Sequence, residues 1–308
     1  MRFIFDVKLW MILGIVLGFV IGLDHPDAPM MLMITLMIQM TLALQGLKFD
    51  FSDFGNRKKE VALCFLCSFG LNTAITLLMG LLFIDDEALW YGWVVLSAVP
   101  CAISVMTMTF YLKGDLKLGM MGFSLIYGSA LILTPLITHL LIGEAASWLK
   151  ILQYVVLFVI IPIVIDIPLN RVTIPPKVKV MVLNVVIMAM VFISVGFRRD
   201  YIIDNPDVAL MLLLANMVRI FVPTIILVIL LKRMGCSREK GSVYIALTFW
   251  KNSGLAATLC IMMFSVTYPN ALLPAVLSLM VENVLFMIIQ GTFDKIWPPE
   301  KTDDAVVA

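Results

Sequence analysis

Long apolar runs separated by short polar segments make up almost the whole chain. Ten runs can be delimited, and each approaches the roughly 20 residues that a helix needs to cross the hydrocarbon core of a bilayer. Their approximate limits are 9–23, 28–47, 60–84, 89–112, 118–142, 148–168, 178–197, 207–231, 242–266 and 271–293. The connections are short, so the pattern predicts an all-α protein of ten transmembrane helices with no inserted soluble domain.

The composition agrees with this pattern. Apolar residues make up 62% of the chain and charged residues 14%, which leaves too little polar surface to cover a soluble globule. We therefore expect an integral membrane protein whose surroundings are the lipid bilayer. The net charge is +1 and no basic stripe is present, so the sequence excludes nucleic acid as a partner.

The cations are distributed unevenly between the two sides of the predicted spans. The loops on the side of the N-terminus contain 17 Lys and Arg residues, among them Arg2 and Lys48, and the opposite loops contain three, Lys150, Arg198 and Arg199. Because positive charge is retained on the cytoplasmic side, this predicts a multi-pass protein of the cell membrane (the inner or plasma membrane) with both termini in the cytoplasm. No small-residue cleavage site follows the first run, so we expect it to be a retained span.

Ten spans divide into two sets of five, and an odd number of spans makes the second set enter the membrane upside down. This arrangement predicts two inverted repeats, residues 1–145 with the first five spans and residues 146–308 with the other five and a short cytoplasmic tail. Inverted repeats are typical of secondary transporters.

Four charged residues fall at membrane depth, all in the second half: Asp166, Arg219, Lys251 and Glu282. A charge at the centre of a span costs about 2.5–3.5 kcal/mol on insertion scales, so each is expected to be paired or to face a wet cavity. Asp166 is expected to pair with Arg171 at a helix end. For Arg219 two interpretations stay open, binding of a substrate carboxylate or an ion pair with Glu282 or Asp166.

Two helices are predicted to break at the same place in each half. The fourth span contains Pro100, and the ninth contains Asn252, Ser253 and Gly254 directly after Lys251. Irregular backbone at membrane depth is tolerated where it lines a cavity or is buried in protein, so we predict a substrate site where these spans cross. The predicted substrate-binding residues are Pro100, Ser104, Arg219, Lys251, Asn252, Ser253, Gly254 and Asn283. A simple proline kink with a glycine packing contact is the alternative.

Signals for catalysis or metal binding are missing from the sequence. No zinc-protease or serine-hydrolase motif occurs, and the two histidines, His25 and His139, lie at the outer ends of spans. The five cysteines are interpreted as free thiols, four of them within apolar runs. We therefore predict a protein that is not an enzyme and that uses no cofactor or metal.

Three groups of residues in order along the chain resemble the bile acid:sodium symporter family. The first is Gly46-Leu47-Lys48-Phe49-Asp50-Phe51-Ser52-Asp53-Phe54. The second combines Pro100, Lys113-Gly114-Asp115 and Thr134-Pro135, and the third is Lys251-Asn252-Ser253-Gly254-Leu255-Ala256, similar to the family's Gln-Asn-Ser-Gly-Leu-Ala. The resemblance implies ten spans arranged as a panel domain and a core domain, two crossing helices in the core, and elevator-like transport of organic anions with sodium.

The same resemblance implies that the sodium ligands are missing. The family's Ser-Asn pair falls on Val105 and Met106, and its Ser and Thr ligands fall on Gly119 and Phe123. In the ninth span its Glu falls on Leu247 and its Gln on Lys251. The Gln of its third span falls near Leu71 or Asn72. Sodium is a hard cation that oxygen atoms bind. We therefore expect neither sodium site to form.

Lys251 stands where a bound cation would be held, so its ammonium is interpreted as a permanent replacement for that charge. The predicted function is sodium-independent transport of a small or amphipathic organic anion, with Lys251 and Glu282 in charge coupling. Three alternatives stay open: a structural ion pair between Lys251 and Glu282, a proton-coupled carrier or antiporter of the same fold, and a non-transporting receptor.

Overall fold

The computed structural model describes residues 7–23, 25, 27–45 and 52–298. The predictions that rest on Gly46 to Phe51, on Arg2 and on Lys48 therefore lie outside the described residues. Within the described part, the chain is helical throughout, apart from turns and the broken segments described below.

The helices follow the apolar runs closely. In chain order they are α1 (Val7–Ile21), α2 (Ala28–Leu44), α3 (Lys58–Phe65), a π-helix (Leu66–Asn72), α4 (Thr73–Gly80), a 3-10 turn (Leu81–Phe83), α5 (Glu87–Ala98), α6 (Ser104–Tyr111), α7 (Leu116–Ile142), a 3-10 turn (Gly143–Ala145), α8 (Trp148–Leu169), α9 (Pro176–Gly196), α10 (Arg199–Asp204), α11 (Pro206–Arg233), α12 (Arg238–Phe249), α13 (Ser253–Phe264), a 3-10 turn (Pro269–Leu272) and α14 (Leu273–Ile296). The short helix α10 was not predicted, because six residues are too few for a helical period to be visible.

Six helical segments among the described residues are long and apolar enough to cross a bilayer. They are Lys58–Phe83, Leu116–Ile142, Trp148–Leu169, Pro176–Gly196, Pro206–Arg233 and Pro269–Ile296. Three shorter helices, Leu9–Ile21, Ala28–Leu44 and Ser253–Phe264, are also apolar. Large apolar side chains are exposed on the outer faces, for example Leu82, Ile132 and Leu140. The molecule is therefore an all-helical, multi-pass membrane protein.

The packing separates two groups of helices. α9 packs along α1 and α2, and α8 packs against α2 on one side and α7 on the other. The remaining helices surround α5, α12 and α13, which are the most completely buried elements. α13 touches the first group through α2 and α8. The broken helices therefore lie deep inside the larger group and next to the boundary with the smaller one.

Candidate functional site: the crossing of two broken helices

Two short extended segments interrupt helices at the centre of the protein. Residues 99–103 separate α5 from α6, and residues 250–252 separate α12 from α13. Cys101 and Lys251 form an antiparallel bridge, so the two segments lie side by side. Two backbone bonds fix the crossing: the Ala102 amide donates to the Trp250 carbonyl over 3.2 Å, and the Asn252 amide donates to the Pro100 carbonyl over 2.9 Å. Both predicted breaks are confirmed, and each supplies hydrogen-bond partners to the other.

Local sequence explains each break. Pro100 has no amide hydrogen for an α-helical bond, which ends α5 just before it. Asn252 starts α13, because its Oδ1 accepts a hydrogen bond of 3.0 Å from the Leu255 amide. The Asn252 Nδ2 donates to the Tyr127 hydroxyl over 3.2 Å, and that hydroxyl donates to the Cys101 carbonyl over 2.9 Å. Tyr127 therefore joins the two broken segments from α7.

The side chain of Lys251 is fully buried at this crossing, with 0% of its surface exposed. Its Nζ lies 2.9 Å from the Val99 carbonyl oxygen, 3.0 Å from the Thr73 hydroxyl and 3.4 Å from the Ser68 carbonyl oxygen. The ring of Phe69 lies 5.1 Å from the same nitrogen and adds a cation–π contact. Three oxygens and an aromatic face therefore surround the ammonium.

The partners of the Lys251 Nζ all act as hydrogen-bond acceptors. The Thr73 hydroxyl donates its own hydrogen to the Ser97 carbonyl over 2.9 Å, so it has only a lone pair to offer Lys251. Val99 and Ser68 contribute carbonyl oxygens, which can only accept. The three acceptors therefore match the three N–H groups of a charged lysine.

The π-helix faces Lys251 and supplies two of these contacts. It spans Leu66–Asn72 in the middle of an otherwise α-helical span and includes Ser68 and Phe69. π-helical turns are rare and occur often at functional sites. Here the Ser68 carbonyl on the π-helix is one of the three acceptors of Lys251, which lies far away in sequence. This contact links the π-helix to the crossing of the two broken helices.

Arg219 and Glu282 form a second buried cluster beside the first. The Arg219 Nη2 lies 2.9 Å from the Glu282 Oε1, and both side chains are almost completely inaccessible. The remaining guanidinium N–H groups reach neutral oxygens on four side chains: Asn72, Thr76, Asn216 and Ser278. The charge-assisted pair is therefore fully hydrogen-bonded, which a buried ion pair needs in order not to destabilise the fold.

Glu282 also contacts the start of α13. Its Oε1 accepts from the backbone amide of Lys251 over 3.2 Å, and its Oε2 accepts from the Ser253 hydroxyl over 2.9 Å. A carboxylate therefore lies at the positive end of α13, while the Lys251 ammonium lies at the Val99 carbonyl, at the negative end of α5. Both charges have the sign that stabilises the helix terminus they touch.

The structure distinguishes between several of the sequence-based alternatives. Arg219 pairs with Glu282. The Lys251 Nζ bonds to neutral oxygens, and the hydrogen bond from Lys251 to Glu282 comes from the backbone amide alone. The structural ion pair expected as one alternative for Lys251 is therefore made by Arg219 instead. The net charge of the three residues at this depth is positive.

Asp166 differs from its expectation. Its Oδ2 accepts a hydrogen bond of 2.6 Å from the Asn170 side chain, in place of the predicted pairing with Arg171. Asn170 is the C-cap residue four positions after Asp166, so the two side chains meet on one face of the helix end.

The other predicted site residues fall into two groups. Pro100, Asn252, Ser253 and Gly254 lie together at the crossing. Gly254 faces α9, because a Cβ atom built on it would lie 2.6 Å from the Met190 Cε. Ser104 is half-buried at the start of α6, and half-buried Asn283 donates to the Leu279 carbonyl of its own helix. No described contact joins Asn283 to the crossing.

Four hydroxyl residues of the site were not singled out from the sequence: Ser68, Thr73, Thr76 and Ser278. They lie in apolar runs without neighbouring charge, and serine and threonine are common in membrane helices. Nothing in their immediate sequence marks them. Asn72 and Asn216 form hydrogen bonds with residues on other helices.

Comparison with known proteins identifies the family. The family model for the sodium bile acid symporter family matches residues 30–205, which is more than half of the chain. The match includes the first broken helix at Pro100 and ends before α12 and α13. No curated protein matches the chain as a close relative. From its helical fold, its broken helix at Pro100 and this match, the chain belongs to the sodium bile acid symporter family, a family of membrane transporters.

Proposed function

We propose that this protein is a secondary transporter that moves a small or amphipathic organic anion by alternating access, without sodium, and with the Lys251 ammonium in place of a bound cation. The observation that carries the proposal is the oxygen environment of the Lys251 Nζ, with three acceptors at 2.9–3.4 Å. Carbonyl and hydroxyl oxygens are also the ligands of hard metal cations. A lysine therefore fills a cavity that would otherwise suit such an ion.

The residues at the positions of the family's sodium ligands support the same proposal. Val105 and Leu247 are fully buried and offer only methyl groups. Phe123 stacks on Tyr127 with ring centroids 4.2 Å apart. The sulfur of Met106 lies 3.4 Å from the position of a Cβ atom on Gly119. None of the residues at these five positions carries a side-chain oxygen that could bind sodium.

The architecture that we propose has ten spans in two inverted repeats, residues 1–145 and 146–308. The positions of the breaks support it, since α5–α6 and α12–α13 are each the fourth segment of their half. We further propose that α1, α2, α8 and α9 form the panel and that the other helices form a moving core. The contact of α13 with α2 and α8 supports a substrate entrance between the proposed panel and core, next to the crossing.

For the anion, the buried positive charge offers electrostatic attraction. Arg219 and Lys251 outnumber Glu282, and the backbone amides at the start of α13 add partial positive charge. The proposed location is the cell membrane, with both termini in the cytoplasm. In this proposal Lys251 is a fixed charge, and a proton-coupled carrier of the same fold is the main alternative. A receptor without transport activity would show binding but no uptake.

The direct experiment is uptake by the purified protein in liposomes. A thermal-shift screen of organic acids first identifies a ligand, and its radiolabelled form is then used with sodium, potassium or choline at constant ionic strength. We expect equal uptake in all three. A clear rise in rate or affinity with sodium would contradict the proposal, and binding without uptake would indicate a receptor.

A further inference from the structure

An apolar groove runs along the outer surface between α11 and the span that contains the π-helix and α4. Its volume is about 290 Å³, at the lower end of the range for small-molecule pockets. The residues that line it are apolar without exception. Those along its rim are about half exposed: Leu71, Leu78, Val218, Val222, Ile226 and Leu230.

The groove lies directly outside the buried charges. Arg219 on α11 contacts Asn72 and Thr76 across the two helices, at 3.3 Å and 3.4 Å. Leu71 and Val218, the sequence neighbours of Asn72 and Arg219, point outward and form the rim. Pro223, which interrupts the hydrogen bonding of α11, lines the floor opposite the span with the π turn. The two helical segments therefore contact each other at the level of Arg219, and the groove lies on the outer side of this contact.

The surroundings of the groove decide what can fill it. Both walls belong to segments that are long and apolar enough to cross a bilayer, Lys58–Phe83 and Pro206–Arg233. The groove therefore opens to hydrocarbon and not to water. From Val218 to Leu230 it extends about 18 Å at about 1.5 Å per residue. One leaflet of a hydrocarbon core about 30 Å thick is about 15 Å deep, so the length suits one acyl chain.

A cation lies at one end of the groove. Val218, Val222, Ile226 and Leu230 follow one another at four-residue spacing on one face of α11, and Arg233 continues that face one turn later. Arg233 is exposed at the end of the helix. A guanidinium at the interface is suited to bind a phosphate, whereas the groove below it accepts only hydrocarbon.

We propose that this groove binds one acyl chain of a phospholipid whose anionic headgroup contacts Arg233. The chain would end at the level of Arg219 and Asn72, so the lipid would form the outer wall behind the buried ion pair. This site is separate from the crossing at Lys251, and the proposal does not depend on what the protein transports.

The experiment uses native mass spectrometry of the full-length protein released from detergent, after incubation with phosphatidylglycerol or phosphatidylcholine of identical chains. We expect one tightly retained lipid, with phosphatidylglycerol preferred. Val222→Trp fills the groove from a half-exposed position and should weaken retention about tenfold or more, which the loss of about two buried methylene contacts already produces. Ile132→Trp, at an exposed site on α7 away from the groove, should have no effect.

Arg233→Gln tests the headgroup separately. It should remove the preference for phosphatidylglycerol and leave retention of phosphatidylcholine unchanged. Equal retention by Val222→Trp and the parent protein would overturn the proposal, as would the absence of any retained lipid. The same mass spectra also report the oligomeric state. A dimer of the parent protein that becomes a monomer on Val222→Trp would overturn the proposal and would assign the groove to a second copy of the chain.

Discussion

The Lys251 Nζ lies 2.9 Å from the carbonyl oxygen of Val99, so a cation on the second broken helix stabilises the open end of the first. At the start of α13 the charge has the opposite sign, because the Glu282 carboxylate accepts a hydrogen bond from the backbone amide of Lys251. Each broken end is thereby matched by a charge of opposite sign that comes from a different part of the chain. Both broken ends are therefore stabilised by groups of the protein itself.

Replacing Lys251 by Met should destabilise the protein and abolish transport. Methionine keeps the length of the side chain but leaves the buried carbonyl of Val99 without its donor, at a cost of about 1–3 kcal/mol for an unpaired group. Thermal unfolding in detergent measures this loss. Lys295→Met, at an exposed position on α14, is the matched control and should unfold like the parent protein.

Lys251→Gln separates function from stability. Its amide can still donate to two of the acceptors, so we expect a folded protein that has lost most of its affinity for the anion because the charge is gone. Normal uptake by Lys251→Gln, with unchanged affinity, would rule out Lys251 as the replacement for a bound cation.

The ion pair between Arg219 and Glu282 should show strong energetic coupling. Glu282→Gln alone leaves a buried guanidinium without its counterion, which typically costs about 3–5 kcal/mol. In the double variant Arg219→Met/Glu282→Gln part of this loss should be recovered, with a coupling energy towards the upper end of about 0.5–3 kcal/mol. The pair Lys251→Gln/Glu282→Gln should couple more weakly, because the two side chains share no direct bond. Equal coupling in both cycles would show that Lys251 is the real partner of the acid.

Replacement of glycine by alanine should affect stability differently at Gly92, Gly254 and Gly128. A Cβ atom on Gly92 would lie 2.0 Å from the backbone oxygen of Ala271, which cannot move aside, so Gly92→Ala should prevent stable folding. On Gly254 the nearest atom is the end of the Met190 side chain at 2.6 Å, so Gly254→Ala should be tolerated. Gly128 has open space around its Cβ position, and Gly128→Ala should raise stability by about 0.5–1 kcal/mol. Expression level and thermal unfolding of the three variants compare them directly.

Thiol accessibility tests whether the breaks reach an aqueous cavity during transport. In a background without the five native cysteines, Ile103→Cys should react with a small charged thiol reagent, because Ile103 is half-buried at the break. Ser253 is buried against Glu282 in this structure. Ser253→Cys should therefore react only in another state of the transport cycle, in which this contact opens to water. Leu96→Cys and Leu259→Cys, in fully buried helix, should stay unreactive. Protection of both break positions in every state would indicate packing kinks.

The broken helices could be predicted because proline and the Asn-Ser-Gly sequence have direct effects on the backbone. Pro100 removes a donor, and Asn252 provides a cap. The π-helix at Leu66–Asn72 could not be predicted in this way. No residue in Leu66–Asn72 has a comparably direct effect on the backbone, and its contact with Lys251 joins positions that are far apart in sequence.

The sequence also could not decide whether Arg219 or Lys251 forms the ion pair with Glu282. Arg219, Lys251, Glu282 and Asp166 were recognised as buried charges because each interrupts an apolar run, but the pattern of one chain does not contain the contacts between helices. The Thr73 hydroxyl and the Ser68 carbonyl were missed for a related reason, since their role at the site comes from the position of the Lys251 Nζ.

A cation that is covalently attached has a consequence for the energetics of the transport cycle. A symported sodium ion crosses the membrane down its own gradient together with the substrate and is released on the far side, which drives accumulation, whereas Lys251 travels back with the empty carrier. With the proposed function, each cycle then moves the net charge of the anion alone, and the membrane voltage acts on it with about 2.3 kcal/mol per charge per 100 mV. A negative cell interior would drive such a carrier toward release of its anion from the cell, and net flow would stop at the electrochemical balance of the substrate itself.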